Sequence, residues 1–225
     1  MYKTKSKILA LITLISLFLN ACVFAQDTGI EGSGVVVEET REVSGITDVR
    51  LTMDAHLTLV VGDTESLIYE GEDNLLAYIL TDVENGVITI QSRPRIELDP
   101  SKPINFRLTV KVLNSIEVTK TGVVEISEID ADSLEVKISD SGSLEIAGGS
   151  VKSQTIRISG SGSYNAENLE CDEAEAKISS NGKATIWVNN NLSADMSGDG
   201  ELRYKGNPTL DEEANSSEGV IKIGD

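Results

Sequence analysis

Cysteine, histidine, proline and aromatic residues are all scarce in this 225-residue chain, which has 2 Cys, 1 His, 4 Pro and 4% Phe, Trp and Tyr. Two cysteines cannot build a disulfide framework. With one histidine, any Ser-His-Asp or Cys-His arrangement would have to use His56. That residue sits in the alternating run Leu51–Leu57 and reads as a strand-surface side chain. The usual zinc ligand set is out of reach for the same reason. Basic charge is also short: 19 Lys and Arg stand against 37 Asp and Glu, for a net charge of −18. The first 25 residues hold three lysines and no acid, so the remainder carries −21. Such a chain lacks the basic footprint that a phosphate backbone or an anionic lipid surface requires, so neither nucleic acid nor electrostatic membrane binding is expected. Beyond residue 25 only six aromatics remain: Tyr69, Tyr78, Phe106, Tyr164, Trp187 and Tyr204. Yet 40% of the chain is hydrophobic. That is enough for a core, which must be aliphatic and regular.

The one long apolar run is N-terminal. Lys3, Lys5 and Lys7 precede the twelve residues Ile8 to Leu19, too few to span a bilayer comfortably and typical of an export signal. Two cleavage readings follow. Leu19-Asn20-Ala21-Cys22 resembles a bacterial lipobox, which makes residues 1–21 the signal and Cys22 the lipidated first residue. Alternatively Val23-Phe24-Ala25 is cleaved, residues 1–25 are removed and a soluble chain starts at Gln26. The lipoprotein reading is preferred, with residues 22–33 as a tether. Export is expected in both cases: anchored in a bacterial envelope at the outer membrane or surface, or periplasmic or secreted without the lipid. The membrane is then met only through the anchor. Cys171 reads as a lone buried thiol.

What the chain does have is a repeat. Val118–Ile126, Ile138–Ile146, Ile158–Ala166, Ile178–Ile186 and Met196–Tyr204 align, with Gly122, Gly142, Gly162, Gly182 and Gly200 at their centres. The glycine spacing is 20, 20, 20 and 18, and a truncated copy, Ser216–Ile223, follows around Gly219. Within each copy apolar residues alternate with polar ones, the period of a strand. Val118, Ile138, Ile158, Ile178 and Met196 form one apolar column, Val124, Leu144, Tyr164, Ala184 and Leu202 another. Glu117, Lys137, Arg157 and Lys177 form an outward row. Each copy is thus a pair of short strands around a Ser/Asp/Gly corner, where glycine is expected to supply positive φ and serine to satisfy the turn backbone.

Such units bury their apolar faces only by stacking, about 4.8 Å apart. Like residues recur at twenty rather than at mirrored positions. The expected fold is therefore all-β: a parallel β-solenoid, or β-helix-like stack, rather than an antiparallel meander of hairpins. Residues 34–92 form an N-terminal β region, with strands around Val35–Val37, Val49–Val61, Ser66–Tyr69 and Val87–Ile90. Gly62-Asp63 and Asn85-Gly86 are expected hairpin turns, and Leu75–Val83 is a short helix or another strand. Residues 93–103 hold three of the four prolines and mark a loop or a break. Residues 104–225 carry the repeats, and 34–225 is expected to be one continuous domain.

Three stretches together resemble the auto-transporter adhesin head domain known as the GIN domain. They are Gly32-Ser33-Gly34 with Arg41–Ile46 and Glu70-Gly71-Glu72-Asp73-Asn74-Leu75-Leu76; the corners Ser141-Gly142-Ser143 and Ser159–Ser163; and Ser197–Pro208, closing on Gly219-Val220-Ile221. The resemblance covers roughly Gly32–Gly224 and departs at Lys120-Thr121-Gly122 and Ser180-Asn181-Gly182, where serine–glycine pairs are expected. It implies an exported, β-helix-like protein, often a lipoprotein of Bacteroidetes-type envelopes. It brings no catalytic residues.

Beside the resemblance, the residues themselves offer few sites. Acids such as Glu125, Glu128, Asp130, Asp132, Glu135 and Glu145 are too common for any pair to indicate a catalytic dyad. Asp130/Asp132 and Asp199/Glu201 make calcium the one metal with donors at hand, although turn aspartates that bond their own backbone explain them as well. No cofactor is expected. Trp187 is the sole candidate sugar platform. Lys137, Arg157 and Lys177 form a short basic ladder that could face a polyanionic glycan, or relieve Glu135 and Glu175. The preferred function is a non-enzymatic surface solenoid, adhesin-like or scaffolding, that binds a glycan or envelope protein. A polysaccharide-active enzyme and an envelope-stress or signalling accessory are the alternatives. Pro208, Asp211, Glu212 and Glu213 could guard the last open strand edge, which favours a monomer.

Overall fold

The computed structural model describes residues 29–211 and 218–224. The expected signal, Cys22 and most of the expected tether lie outside the described residues, as do Glu212, Glu213 and the start of the sixth copy. Strands account for most of the rest. The N-terminal part holds β1 (Ile30–Glu31), β2 (Val36–Arg41), β3 (Asp48–Leu51), β4 (His56–Val61), β5 (Ser66–Glu72), β6 (Ile79–Glu84), β7 (Val87–Ser92), β8 (Leu98–Asp99) and β9 (Asn105–Val110). The repeats give β10 (Ser115–Val118), β11 (Val123–Ile126), β12 (Ile129–Asp140), β13 (Ser143–Ile146), β14 (Gly149–Gly160), β15 (Ser163–Ser180), β16 (Lys183–Ser197) and β17 (Glu201–Lys205). The last two are β18 (Thr209–Leu210) and β19 (Val220–Gly224). Among the described residues a single 3-10 turn, Leu76–Tyr78, interrupts them, and Leu75–Val83 is therefore this turn followed by the start of β6.

The stack is parallel, as the twenty-residue recurrence requires. Ile116 pairs with Val136, Val136 with Ile156, Ile156 with Ala176 and Ala176 with Ala194. Each coil has three sides. Face one carries residues such as Ser133–Asp140, face two Ser143–Ile146, and face three the short segment Ile129–Ala131, which pairs with Gly149–Val151 and then Leu169–Cys171. The eighteen-residue spacing has a local cause: between Ala166 and Glu170 the next coil skips three residues, and between Cys171 and Glu173 it adds one. The apolar columns point inward and are buried, apart from Met196, which is half-buried at the thinning end. Each buried Ile, Leu or Val there contributes about 1.5–3 kcal/mol relative to exposure.

The corner glycines work differently from the sequence expectation. Gly122, Gly142, Gly162, Gly182 and Gly200 do not have positive φ; that conformation falls two residues earlier, at Lys120 (55°), Asp140 (59°), Gly160 (106°), Ser180 (65°) and Gly198 (87°). The central glycines are required because a Cβ would strike the inward column of an earlier coil. It would lie 2.9 Å from Val118 Cγ1 at Gly142, 2.5 Å from Ile158 Cγ2 at Gly182 and 2.8 Å from Ile178 Cγ2 at Gly200. The left-handed residue turns the chain, and the bare glycine lets the corner close over an isoleucine or valine.

The N-terminal part joins the same stack out of order. β3 pairs with β10 on one side and β7 on the other, while β4 lies between β11 and β9. Strands from both sides of residues 93–103 therefore share one sheet. Asn85 and Gly86, both at positive φ, turn the β6–β7 hairpin as expected. Gly62-Asp63 does not turn a hairpin. β4 and β5 are consecutive but unpaired, because β9 inserts between them, parallel to β4 and antiparallel to β5. β2 then covers β5. Arg41, paired with Glu39 at 2.8 Å, reaches across the end to Ile79 O and Thr81 Oγ1 and closes it with polar groups.

Candidate functional site

A parallel stack converts a repeated residue into a row, so the outer faces hold the functional candidates. On face one, Thr89, Arg50, Glu117, Lys137, Arg157, Lys177 and Asp195 follow one another in register. The predicted ladder Lys137–Arg157–Lys177 is thus brought together on adjacent coils. Its charges are shared out among acids of the same face. Glu135 takes Lys137 Nζ at 2.9 Å and Arg157 Nη1 at 2.8 Å, Lys177 meets Asp195, and Arg50 meets Glu117 at 2.8 Å. Exposed pairs of this kind contribute only about 0–1 kcal/mol each. Their larger effect is to leave the row nearly neutral while spare N–H donors of Arg157 and Lys137 still face solvent.

Where face three turns into face one, a shallow groove of about 490 Å³ runs across four coils. Asp130, Ser150 and Glu170 line one side, Asp132, Lys152 and Asp172 the other. Asp130 accepts hydrogen bonds from Ser150 N (3.1 Å) and Oγ (2.7 Å), the turn-type role. Asp132 pairs with Lys152 at 2.5 Å. The hydrogen bond and charge of Lys152 hold the Asp132 carboxyl below the usual range, and Asp132 raises the lysine in return. Among the described residues no three His, Cys, Asp or Glu side chains converge as a metal site. Glu201 at the other proposed calcium position contacts Arg203.

The remaining candidates scatter. His56 Nε2 lies 3.3 Å from Glu125 Oε2 on face two, across adjacent coils. Trp187 is half-buried beside Glu170 and Lys205 in register, and Lys205 Nζ sits 4.2 Å from its ring centroid, so one ring face is already covered. Cys171 is buried, its thiol donates to Glu173 O at 2.8 Å, and burial pushes it up to about 11, which makes it a poor nucleophile.

One polar centre was not anticipated. Glu72 is buried, and its carboxylate accepts from Gly34 N (2.5 Å), Ser101 N (2.8 Å), Ser101 Oγ (2.6 Å) and Lys102 N (3.3 Å). Ser33 bonds Asp73 and Asn74 alongside it. These bonds, the Ser101 hydroxyl foremost, hold the Glu72 carboxyl below its ordinary value. The motifs Gly32-Ser33-Gly34 and Glu72-Asp73-Asn74 are therefore two halves of one knot that pins the N-terminal segment and the 93–103 loop to β5. Both motifs are visible in the sequence; that they meet is not.

Fold and rows define the class: a β-solenoid with rows of equivalent side chains along its outer faces. The chain belongs to the family described as putative auto-transporter adhesin, head GIN domain, which matches residues 46–208. It is similar in structure to a putative adhesin from Bacteroides fragilis NCTC 9343, with a TM-score of 0.65 and 19% identity over 87% of this chain and 97% of that one. A putative adhesin from Parabacteroides merdae ATCC 43184 (TM-score 0.58, 16% identity, 88% and 97% covered) shares the fold. So does a putative lipid binding protein from Parabacteroides distasonis ATCC 8503 (TM-score 0.53, 19% identity, 88% and 97% covered). At these identities the likeness is one of fold. No curated protein matches the chain.

Proposed function

We propose that this protein is a non-enzymatic, exported surface solenoid, adhesin-like or scaffolding, anchored through a lipid on Cys22 and binding a glycan or protein partner along face one. The observation that carries this reading is the row through Lys137, Arg157 and Lys177. Its members sit on adjacent coils and repeat at the coil rise of about 4.8 Å, a spacing suited to an extended partner laid along the stack. Because each cation already has an acid beside it, the row suits a partner that exchanges hydrogen bonds, such as a hydroxyl-rich glycan or an extended peptide, better than a polyanion. Screening the mature chain on glycan and protein arrays tests this. The triple variant Lys137→Gln, Arg157→Gln, Lys177→Gln should lose about tenfold or more of any affinity found. Undiminished binding would remove face one from the account, and turnover of a glycan would remove the word non-enzymatic. Cys22→Ala should shift the protein out of the membrane fraction; persistent membrane association would refute the anchor.

A further inference from the structure

Among the described residues, 93–103 make a long excursion from the stack, and the loop roofs a crevice of about 240 Å³. Met53, Ile96, Leu98, Pro100 and Ile104 supply an apolar lining, while Ser92, Asp54, Glu97 and Lys120 stand around it. The roof is held firmly. β8 in the loop pairs with β1, and Ser101 and Lys102 are tied to the buried Glu72 carboxylate. A long ordered loop on a rigid scaffold is a common place for a binding site.

The cations around this crevice are placed differently from those of face one. On face one each cation of the row has an acid partner. At the loop, Arg93, Arg95, Lys102 and Lys120 are all exposed, and none of their side chains has an ion pair or hydrogen bond with another described residue. Of the nearby acids, Asp54 is occupied by the N–H and hydroxyl of Thr121 at 3.1 and 2.7 Å, and Asp140 accepts from Lys120 N at 3.2 Å, which leaves Glu97 and Asp99. Unpaired cations thus gather at one corner of a chain whose net charge is −18. Lys120 also carries backbone strain. It occupies the left-handed corner position, with φ of 55°, that Gly160 and Gly198 fill in later coils and that Asp140 and Ser180 share. A long cationic side chain is placed where glycine would fit with less strain, and it lines the crevice.

We infer that this crevice binds an amphipathic anion: an apolar chain lies against Met53, Leu98 and Ile104, and a carboxylate or phosphate head is held by Lys120 at the mouth. The volume is below the 300–1,000 Å³ of sites that enclose a whole drug-sized ligand, so it takes the end of a chain rather than an entire lipid. Apolar burial supplies the attraction, and the unpaired ammonium selects the sign of the head. The site lies apart from the Lys137–Arg157–Lys177 row and does not depend on the function proposed for it.

The test is calorimetric titration of the mature chain with dodecanoate, dodecyl phosphate, dodecyltrimethylammonium and inorganic phosphate, each below its micelle concentration. Both dodecyl anions should bind, at one site per chain, with the inorganic phosphate at least about tenfold weaker. A preference for one dodecyl anion assigns the head as carboxylate or phosphate. Lys120→Gly is the discriminating variant, because glycine suits the backbone there and folding is spared. It should melt no lower than the parent and bind the dodecyl anions about tenfold or more weakly. Lys183→Gln, a change to an exposed lysine on face two, should leave binding as it was. Equal affinity for the cationic amphiphile, or unaltered binding by Lys120→Gly, would overturn the assignment.

Discussion

The two halves of this stack reach the same geometry by different routes. From β10 onward each coil lies on the one just before it, with partners 18 or 20 residues away along most of its length. Upstream, β3 and β4 are sandwiched between strands that follow them by tens of residues, and the Arg50–Glu117 contact joins positions 67 apart. Closing a loop of 67 rather than 20 residues costs about 1 kcal/mol more. The upstream half offsets this with devices the repeats lack: a hairpin at Asn85-Gly86, an antiparallel cover of β5 and β2, and the Glu72 knot. The repeats rely on column packing and the regular ladders between coils, so each half should fail in its own way.

The largest failure is expected in the repeats. Ile158 is 2% exposed, and Ile158→Asp would place an unpaired carboxylate inside the column, at a cost on the order of 5 kcal/mol. Urea or thermal melts should show the stack unfolded or nearly so; a wild-type melt would mean the column is not core. Gly162→Ala comes next. Its Cβ would press into Ile138 and come within 2.8 Å of Gly142 O, at a cost of about 1–3 kcal/mol. If instead it stabilises the chain, the steric account of the central glycines is wrong.

In the upstream half the sensitive group is Glu72. Its carboxyl is held below the ordinary value of 4.5, so the stability it adds is complete above that pH and is lost as pH falls through the lowered value. Hydrogen exchange at Ser33–Val35 and Ser101 should rise in acid before exchange in the repeat columns does. Glu72→Gln should loosen the same amides at neutral pH and remove their acid response; unchanged protection would show that the knot holds nothing. The smallest effect separates the two corner positions. Ser180→Gly relieves a φ of 65° and should change stability by between zero and about 1 kcal/mol in the favourable direction. A clear loss would show that Ser180 has a role beyond turning the chain.

Much of the repeat half can be read without coordinates. The columns through Ile158 and Leu144 and the outward row through Arg157 follow from period two and a twenty-residue recurrence, because parallel stacking sets equivalent residues beside one another. The central glycines stand out in the sequence, but the reason for them does not. A repeating Gly marks a position where a side chain is not tolerated, and the sequence does not say whether φ or a neighbouring Cγ2 forbids it. Gly62-Asp63 suggests a hairpin because a turn between two strands is a local signal, whereas the insertion of β9 between them is not. For the candidate sites the limit is the same. Lys137, Arg157 and Lys177 are visible as a row, but their acid partners, and the meeting of Lys120 with Met53 and the 93–103 loop, depend on register across coils.

By itself, then, the sequence determined the strand period, the parallel repeat, the aliphatic core and the family, because these depend on residues close together or evenly spaced along the chain. Only the tertiary structure decided that Asp48–Val61 lies between later strands, that Gly32-Ser33-Gly34 closes on Glu72, and that Lys120 meets Met53 and Leu98 in a crevice under the 93–103 loop. Those arrangements come from contacts tens of residues apart. Their free energy is realised only once the stack has formed, and it leaves no periodic trace in the chain.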